Sequence, residues 1–335
     1  MLTRSAGPRS LAFILSAAAV VVAVLLSLMV GSRALSPVDV VRALVDGGSG
    51  DAVDIVRGLR LDRTLVALVC GAALGAAGAL MQALTRNPLA DPGLLGVNAG
   101  AAAAVVTGFA FLGVTSSTAQ MWLALAGAAV ASVAVYLLGS GGRAAATPAR
   151  LALAGAALTA VLYSYINALA LSNQENFDRF RFWTVGSVVN RGLDTLVSAL
   201  PFLVAGAVLA LVVAPGLNAL ALGDDSSRAL GLRIGRTRAL TAIAVTLLCG
   251  ASTAVAGPIA FVGLTVPHVA RAIVGPDQRL VVPLSMLIAS AFLVLADVVG
   301  RVVVPGAEIE AGIMTAILGG PVFIAIVRRR RLVAA

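Results

Sequence analysis

Apolar runs nearly as long as a bilayer is thick recur along the chain, separated by short polar connections. Ten stand out, at residues 11–30, 64–84, 94–112, 119–138, 151–171, 193–213, 239–257, 259–274, 280–303 and 313–327. A helix needs about 20 residues to cross roughly 30 Å of hydrocarbon. The pattern therefore predicts an all-α polytopic membrane protein with about ten transmembrane helices, in one transmembrane domain over residues 1–335. The eighth run carries Pro267, His268 and Arg271 and is expected to be broken or tilted. The first run follows Arg4 and Arg9 and exceeds the core of about 7–15 residues in a cleaved signal peptide, so it is expected to be a retained span. A mixed-charge segment, residues 33–62, follows it, with Gly47, Gly48, Ser49 and Gly50 marking a loop.

Composition agrees with this pattern. The chain is 60% hydrophobic and 12% charged, about half the charge of a soluble domain. Its 35 glycines suit membrane helices, where small residues let backbones approach closely. A soluble helical bundle is excluded on these grounds.

The net charge of +9 raises the question of nucleic acid, and its placement answers it. With the N-terminus inside, the inner side holds Arg4, Arg9, Arg86, Arg143, Arg150, Arg228, Arg233, Arg236, Arg238, Arg271, Arg279 and Arg328 to Arg331. Only four acids accompany them there: Asp91, Asp224, Asp225 and Asp277. The outer side has nine arginines and ten acids, and Asp297 lies within a span. Such segregation is the positive-inside pattern of a bilayer protein, with both termini cytoplasmic, and not a nucleic-acid footprint.

All 24 basic residues are arginine. Without lysine there is no Walker A loop, so this chain binds no ATP cofactor, and any ATP and magnesium belong to a partner. Cys70 and Cys249 lie inside apolar runs, which argues against a disulfide framework. A single histidine, His268, makes no multi-histidine metal site, and no metal-ligating residue is assigned.

A shift of 179 residues aligns Cys70-Gly71-Ala72 with Cys249-Gly250-Ala251, Pro88 with Pro267, and Gly96 with Gly275. The shift equals five crossings. An odd number reverses direction, so the halves, about 60–171 and 239–327, are expected to form an inverted repeat, as in transporters that rock around a central pathway.

Three polar stretches carry candidate function. Residues 82–96, QALTRNPLADPGLLG, link two spans; Pro88 and Pro92 withhold backbone donors, while Asn87 and Asp91 suit helix caps. A rigid turn alone needs fewer specific polar residues. Residues 222–233 place Asp224 and Asp225 in a first helical turn and Gly231 at its end. Ser227, Leu230 and Leu232 give this segment one small and two apolar positions, which also suits a helix lying on lipid. Arg60 and Arg63 stand at the mouth of the second span, where arginines commonly anchor in the interface.

These stretches, with GPIAFVGLTVPHVAR at 257–271, LADVVGR at 295–301 and GIMTAILGGPVF at 312–323, resemble the FecCD-type permeases of bacterial iron–siderophore, haem and vitamin B12 ABC importers. The resemblance runs from about residue 59 to 323 and implies the ten-helix fold of a type II ABC importer permease. By that likeness, Gly223, Asp224, Asp225, Ser227, Arg228, Leu230 and Gly231 form a coupling helix that docks on an ATPase. Ser227 stands where alanine is usual. Arg60, Arg63 and Arg301 match arginines that meet carboxylates of a substrate-binding protein, with Asp62 replacing a proline and so loosening the backbone there. Asn87, Pro88, Asp91, Pro92, Gly96, Pro267, His268, Arg271 and Asp297 fall in structural and translocation motifs. Asp297 precedes Arg301 by four residues, one helical turn, and an internal ion pair is the competing reading.

The implied partners are a second permease, identical or a sister, two ABC ATPases, an extracytoplasmic binding protein and a metal-chelate cargo, in the bacterial cytoplasmic membrane. An iron–siderophore is the first expectation, with haem, vitamin B12 or a zinc/manganese importer as alternatives. An ion-coupled secondary transporter would want buried carboxylates along its pathway, and only Asp297 qualifies. A membrane enzyme would lack chemistry, with one histidine, no lysine and no acid cluster within the spans.

Overall fold

The computed structural model describes residues 6–45, 50–140 and 147–331, with the backbone alone at 6–8, 148, 326, 327 and 329–331. Arg4, Arg143 and the loop residues Gly47, Gly48 and Ser49 lie outside the described residues, as do the side chains of Arg329, Arg330 and Arg331.

The helices are α1 (Ala6–Met29), α2 (Pro37–Val45), α3 (Asp51–Val53), α4 (Leu61–Thr85), α5 (Val97–Leu112), α6 (Ser117–Ser140) and α7 (Pro148–Leu171). They continue with α8 (Gln174–Thr184), α9 (Leu193–Leu220), α10 (Asp224–Ala229), α11 (Ile234–Ala256), α12 (Val262–Val274), α13 (Gln278–Gly300) and α14 (Ala311–Arg331). A π-helical segment, Asp54–Arg60, joins α3 to α4 without a break, and a 3-10 helix, Pro92–Leu95, precedes α5. Among the described residues there is no strand. Among the described residues, seven helices are long and apolar enough to cross a membrane, and α5, α12 and most of α14 are shorter apolar helices. Together they account for the ten expected runs.

The connections hold more helix than the sequence pattern showed. Residues 33–62, read as a loop-bearing segment, contain α2 and the outward extension of α4. Val40 and Ala43 of α2 bury themselves against Leu28, Leu35 and Val56, a small apolar cluster of its own. Asp62 therefore lies within a continuous helix, and the backbone is fixed there rather than loosened. The link from α7 to α9 contains α8, started by the Asn173 side chain, which accepts the Glu175 amide at 2.8 Å.

The eighth span is broken differently from expectation. Gly257 to Phe261 is non-helical, and Phe261 takes a left-handed φ of 67° before α12 begins. Pro267 then sits inside an unbroken helix. Lacking an N–H, it leaves the carbonyl of Gly263 without its helical donor. The Gln82 side chain of α4 supplies one instead, with Nε2 donating to Gly263 O at 3.3 Å and to Leu264 O at 3.0 Å.

Helix packing repeats itself between halves. α4 packs on α12 and α13, as α11 packs on α5 and α6. The trio α5, α6 and α7 contact one another, as do α12, α13 and α14. α1 meets α4 and α13, as α9 meets α11 and α6. Exchanging the five-span sets preserves these contacts, and α4 and α11 lie against each other at the centre, where Ser252 Oγ donates to Cys70 O at 3.2 Å. The 179-residue shift holds only in this central pair. Pro88 lies in a turn and Pro267 within α12, and Gly96 opens α5 whereas Gly275 ends α12, so those pairs are not equivalent positions.

Close approach at the centre depends on small residues. A Cβ on Gly78 of α4 would lie 1.9 Å from the Gly263 carbonyl oxygen, which is backbone and cannot step aside. Gly78→Ala is expected to cost about 1–3 kcal/mol, the usual range for overpacking, measured as a lowered unfolding midpoint in detergent. An unchanged midpoint would mean that α4 and α12 are further apart than described.

Candidate functional site

Both ends of the bundle carry organised polar structure. At one end, Arg60 and Arg63 come together with Arg301 from a separate motif, and all three are buried, at 5%, 9% and 5% exposure. Asp297 is fully buried beneath them. Arg63 Nε donates to its carboxylate at 2.8 and 2.9 Å, and Arg301 Nε donates at 3.0 Å. Arg63 Nη1 also meets Glu308 at 2.6 Å.

Three guanidiniums against two carboxylates leave an excess charge of +1, from 3 − 2. Backbone carbonyls solvate the guanidiniums without neutralising that charge. Arg301 Nη1 donates to Ser27 O at 2.7 Å, and Arg60 donates to Leu28 O at 2.8 Å and to Arg33 O. Ser27 and Leu28 lie in the last turn of α1, the negative end of its dipole, and Arg33 lies in the chain just beyond it, so the arginines act as a side-chain cap. The internal reading of Asp297 thus holds, with Arg63 added to Arg301. The cluster floors a cavity of about 180 Å³, also lined by Leu59, Asn190 and Glu308.

Toward the end away from the arginine cluster, around the last turns of α4 and α12, lies a second polar group. His268 is buried with its ring 6.3 Å from Phe323, and Arg271 bonds the Gln82 amide oxygen. Asp91 caps the 3-10 helix through the Gly93 amide at 2.8 Å, with Pro92 at its first position and left-handed Gly96 (φ 73°) at its end. Asn87 does not cap a helix. Its side chain accepts the Leu89 amide at 2.9 Å, closing a turn that contains Pro88.

At the opposite end, α10 covers only Asp224–Ala229, shorter than the expected 222–233, because α11 starts at Ile234. Gly223 enters with φ 101° and Gly231 leaves with φ 77°, conformations that favour glycine. Ser227 is fully buried and donates to Ala219 O at 2.8 Å, which seats α10 on the end of α9. Leu230 and Leu222 point away, 67% and 64% exposed. Arg228 pairs with Asp225 at 2.8 Å on the open side.

Asp224 faces the bundle, paired with Arg86 at 2.6 Å and Arg238 at 2.9 Å. Burial pushes its carboxyl up, but the Arg86 hydrogen bond and the Arg238 charge outweigh this and hold it below the usual carboxylate range. The pairs therefore stand at neutral pH and loosen only as pH falls through that lowered value. Arg86 caps α4 in a left-handed conformation (φ 51°), so α10 is tied to α4 and α11 together.

The sequence places Gln82 and Arg86 in the polar 82–96 stretch, but nothing local marks the partner of Arg86, 138 residues away, or singles out Ser27 and Glu308. Arg86→Ala is expected to cost under about 1 kcal/mol of stability, as for other half-exposed pairs, and less than Arg238→Ala. A larger loss for Arg86→Ala, in parallel unfolding titrations, would reverse that ranking.

Ten apolar helices with organised polar structure toward both ends define a membrane-embedded helical protein, and the comparisons make it a transport permease. A structural neighbour supports this class: the chain superposes on a transporter assigned to the metal-chelate type of ABC transporter, in an inward-facing conformation, with a TM-score of 0.84 at 26% identity. That match covers 96% of this chain and 99% of the other, so the fold is that of an ABC-transporter permease. The chain belongs to the FecCD transport family, whose model matches residues 19–329. It is 49% identical to the ferric enterobactin transport system permease protein FepD of Escherichia coli (strain K12), over 92% of each chain. It is 43% identical to the probable siderophore transport system permease protein YfiZ of Bacillus subtilis (strain 168), over 82% of this chain and 83% of that one.

Proposed function

We propose that this chain is the membrane-spanning subunit of an ATP-driven importer of iron–siderophore complexes, seated in the bacterial cytoplasmic membrane with the α10 end inside. The geometry of α10 carries the reading. A six-residue helix outside the bundle is flanked by exposed Leu222 and Leu230, while Asp224 and Ser227 fix it to α4, α9 and α11. Such a knob serves to receive a push from a separate ATPase and pass it to the spans. Cargo identity rests on the relatives, with haem or vitamin B12 as the alternative; the zinc/manganese class is disfavoured by the family match.

The other subunits follow from exposed surfaces. α7 is the least buried of the seven long helices and the least apolar, and it exposes Tyr163, Ser164 and Asn167 along one side. Polar groups facing lipid are costly, so a second permease, identical or a sister, covers α7 and shares the pathway. At the arginine end, the cavity over Arg60, Arg63 and Arg301 receives a carboxylate of the substrate-binding protein, drawn by the excess positive charge. ATP and magnesium stay on the ATPases, and this subunit breaks no bond.

Affinity purification of the tagged chain tests the assembly. Co-purification of an ABC ATPase and, with cargo, a binding protein is expected. Recovery of the chain without any ATPase, with uptake that persists when the neighbouring ATPase is inactivated, would favour an ion-coupled transporter instead.

A further inference from the structure

A groove of about 380 Å³ runs between α6 and α11, lined by Ala129, Val133 and Leu137 of the one and Ala239, Ile243 and Leu247 of the other. No motif or subunit contact assigned above uses it. α6 and α11 are the fourth and seventh crossings and so run in opposite directions, with Ala128 beside Gly250. The lining extends over eight residues of each helix, about 12 Å of rise. That is close to the hydrocarbon depth of one leaflet, roughly 15 Å. α6 finishes and α11 begins at the α10 end, so the groove occupies the leaflet on that side.

Val133, Leu137 and Ile243 leave the walls apolar and exposed, and the chemistry changes only toward the α10 end. Tyr136 lies there, partly exposed, and its hydroxyl makes no hydrogen bond among the described residues. Arg236 precedes Ala239 by three residues and Ile243 by seven, which puts it on the groove's face of α11, one turn nearer the interface. Arg233 lies three residues before it. Both arginines are exposed, and among the described residues no acid pairs with either. Asp224 is already held by Arg86 and Arg238, and Asp225 by Arg228. α11 also starts without a side-chain cap, so the Gly235 and Arg236 amides have no acceptor among the described residues. Open amides at a helix start, flanked by two bare cations, favour an anion.

We propose that this groove seats an acyl chain of an anionic phospholipid of the cytoplasmic leaflet, with the lipid phosphate between Arg233 and Arg236 at the start of α11. The apolar length above the cations selects a lipid over a free anion. The two unpaired guanidiniums select an anionic headgroup over a zwitterionic one, each interfacial arginine adding attraction of its own. A second copy of the chain fits poorly, because a two-fold contact here would set the same arginines against one another. The proposal rests on the importer reading only for which leaflet is the inner one. A lipid bound there would steady the joint between α10 and α11, next to the helix assigned to coupling.

The test titrates phosphatidylglycerol or phosphatidylcholine into the detergent-purified full chain and counts bound lipid by native mass spectrometry. One phosphatidylglycerol should be retained more tightly than phosphatidylcholine. Arg236→Gln should weaken it about fivefold, the attraction of one interfacial arginine, and erase the preference. Ala239→Phe leaves both arginines in place but fills the groove, and should remove the tight phosphatidylglycerol. Arg42→Gln, an exposed arginine at the other end, should bind as the parent does. Equal retention of the two lipids by the parent overturns the proposal, and so does unchanged phosphatidylglycerol binding in Arg236→Gln or Ala239→Phe. A dimer mass in the parent that Ala239→Phe abolishes would make the occupant a second copy instead, which also overturns it. Orientation is read separately, by labelling Arg236→Cys in sealed vesicles with an impermeant maleimide. Labelling from outside would sink the importer reading, whereas labelling from inside with no lipid preference sinks the groove alone.

Discussion

Asp297→Asn is expected to destabilise the folded chain by about 3–5 kcal/mol, the range for removing one partner from a buried ion pair. The substitution keeps size and one acceptor oxygen but deletes the charge. Arg63 and Arg301 would then share a buried position with Glu308 as the remaining countercharge, and Glu308 is half exposed and reaches only Arg63. The effect should spread to α1, whose end is held by Arg301 and Arg60 rather than by packing alone. Unfolding in detergent, followed by circular dichroism, should show a lowered midpoint, and proteolysis should cut near Gly31–Ser36 first. A variant as stable as its parent would show that the three arginines are solvated and the carboxylate is not their anchor.

Leu230→Asp is expected to abolish coupling while leaving the fold intact. The side chain is exposed and makes no internal packing, so stability should change by less than about 0.5 kcal/mol, as at ordinary surface sites. In the assembled importer, though, an apolar contact with the ATPase would be replaced by a desolvated charge, which costs several kcal/mol at the centre of an interface. Uptake into proteoliposomes should fall at least about tenfold, since each 1.4 kcal/mol is a factor of ten, with ATP hydrolysis uncoupled from it. Arg228→Asp should act in the same direction, also by setting like charges against Asp225. Normal uptake in both variants would remove α10 from the transmission path.

The ten spans were legible because the bilayer imposes a length that sequence cannot disguise. Even the short α12 was found, although Pro267 made it look broken at the wrong place: the chain repairs the proline with Gln82, from a different helix, and local pattern cannot announce such a repair. α2 and α8 were hidden because each is short and half polar, and only packing against the spans makes them helical. The site residues divide in the same way. Asp297 and Arg301 sit four apart and their pairing could be read, whereas Arg63 with Asp297, 234 residues away, or Arg86 with Asp224 required the fold. The motif around Arg60 and Arg63 suggested displayed side chains, whereas the structure shows guanidiniums lying beneath the surface with a cavity above.

The cap on α1 also orders events during synthesis. Ser27 leaves the ribosome 274 residues before Arg301, the side chain that secures its carbonyl. At roughly 5–20 residues per second, that interval is on the order of tens of seconds. α1 thus enters the lipid early and stays unlatched until α13 and Arg301 arrive, which makes the nascent chain a client for insertase or chaperone custody throughout that wait.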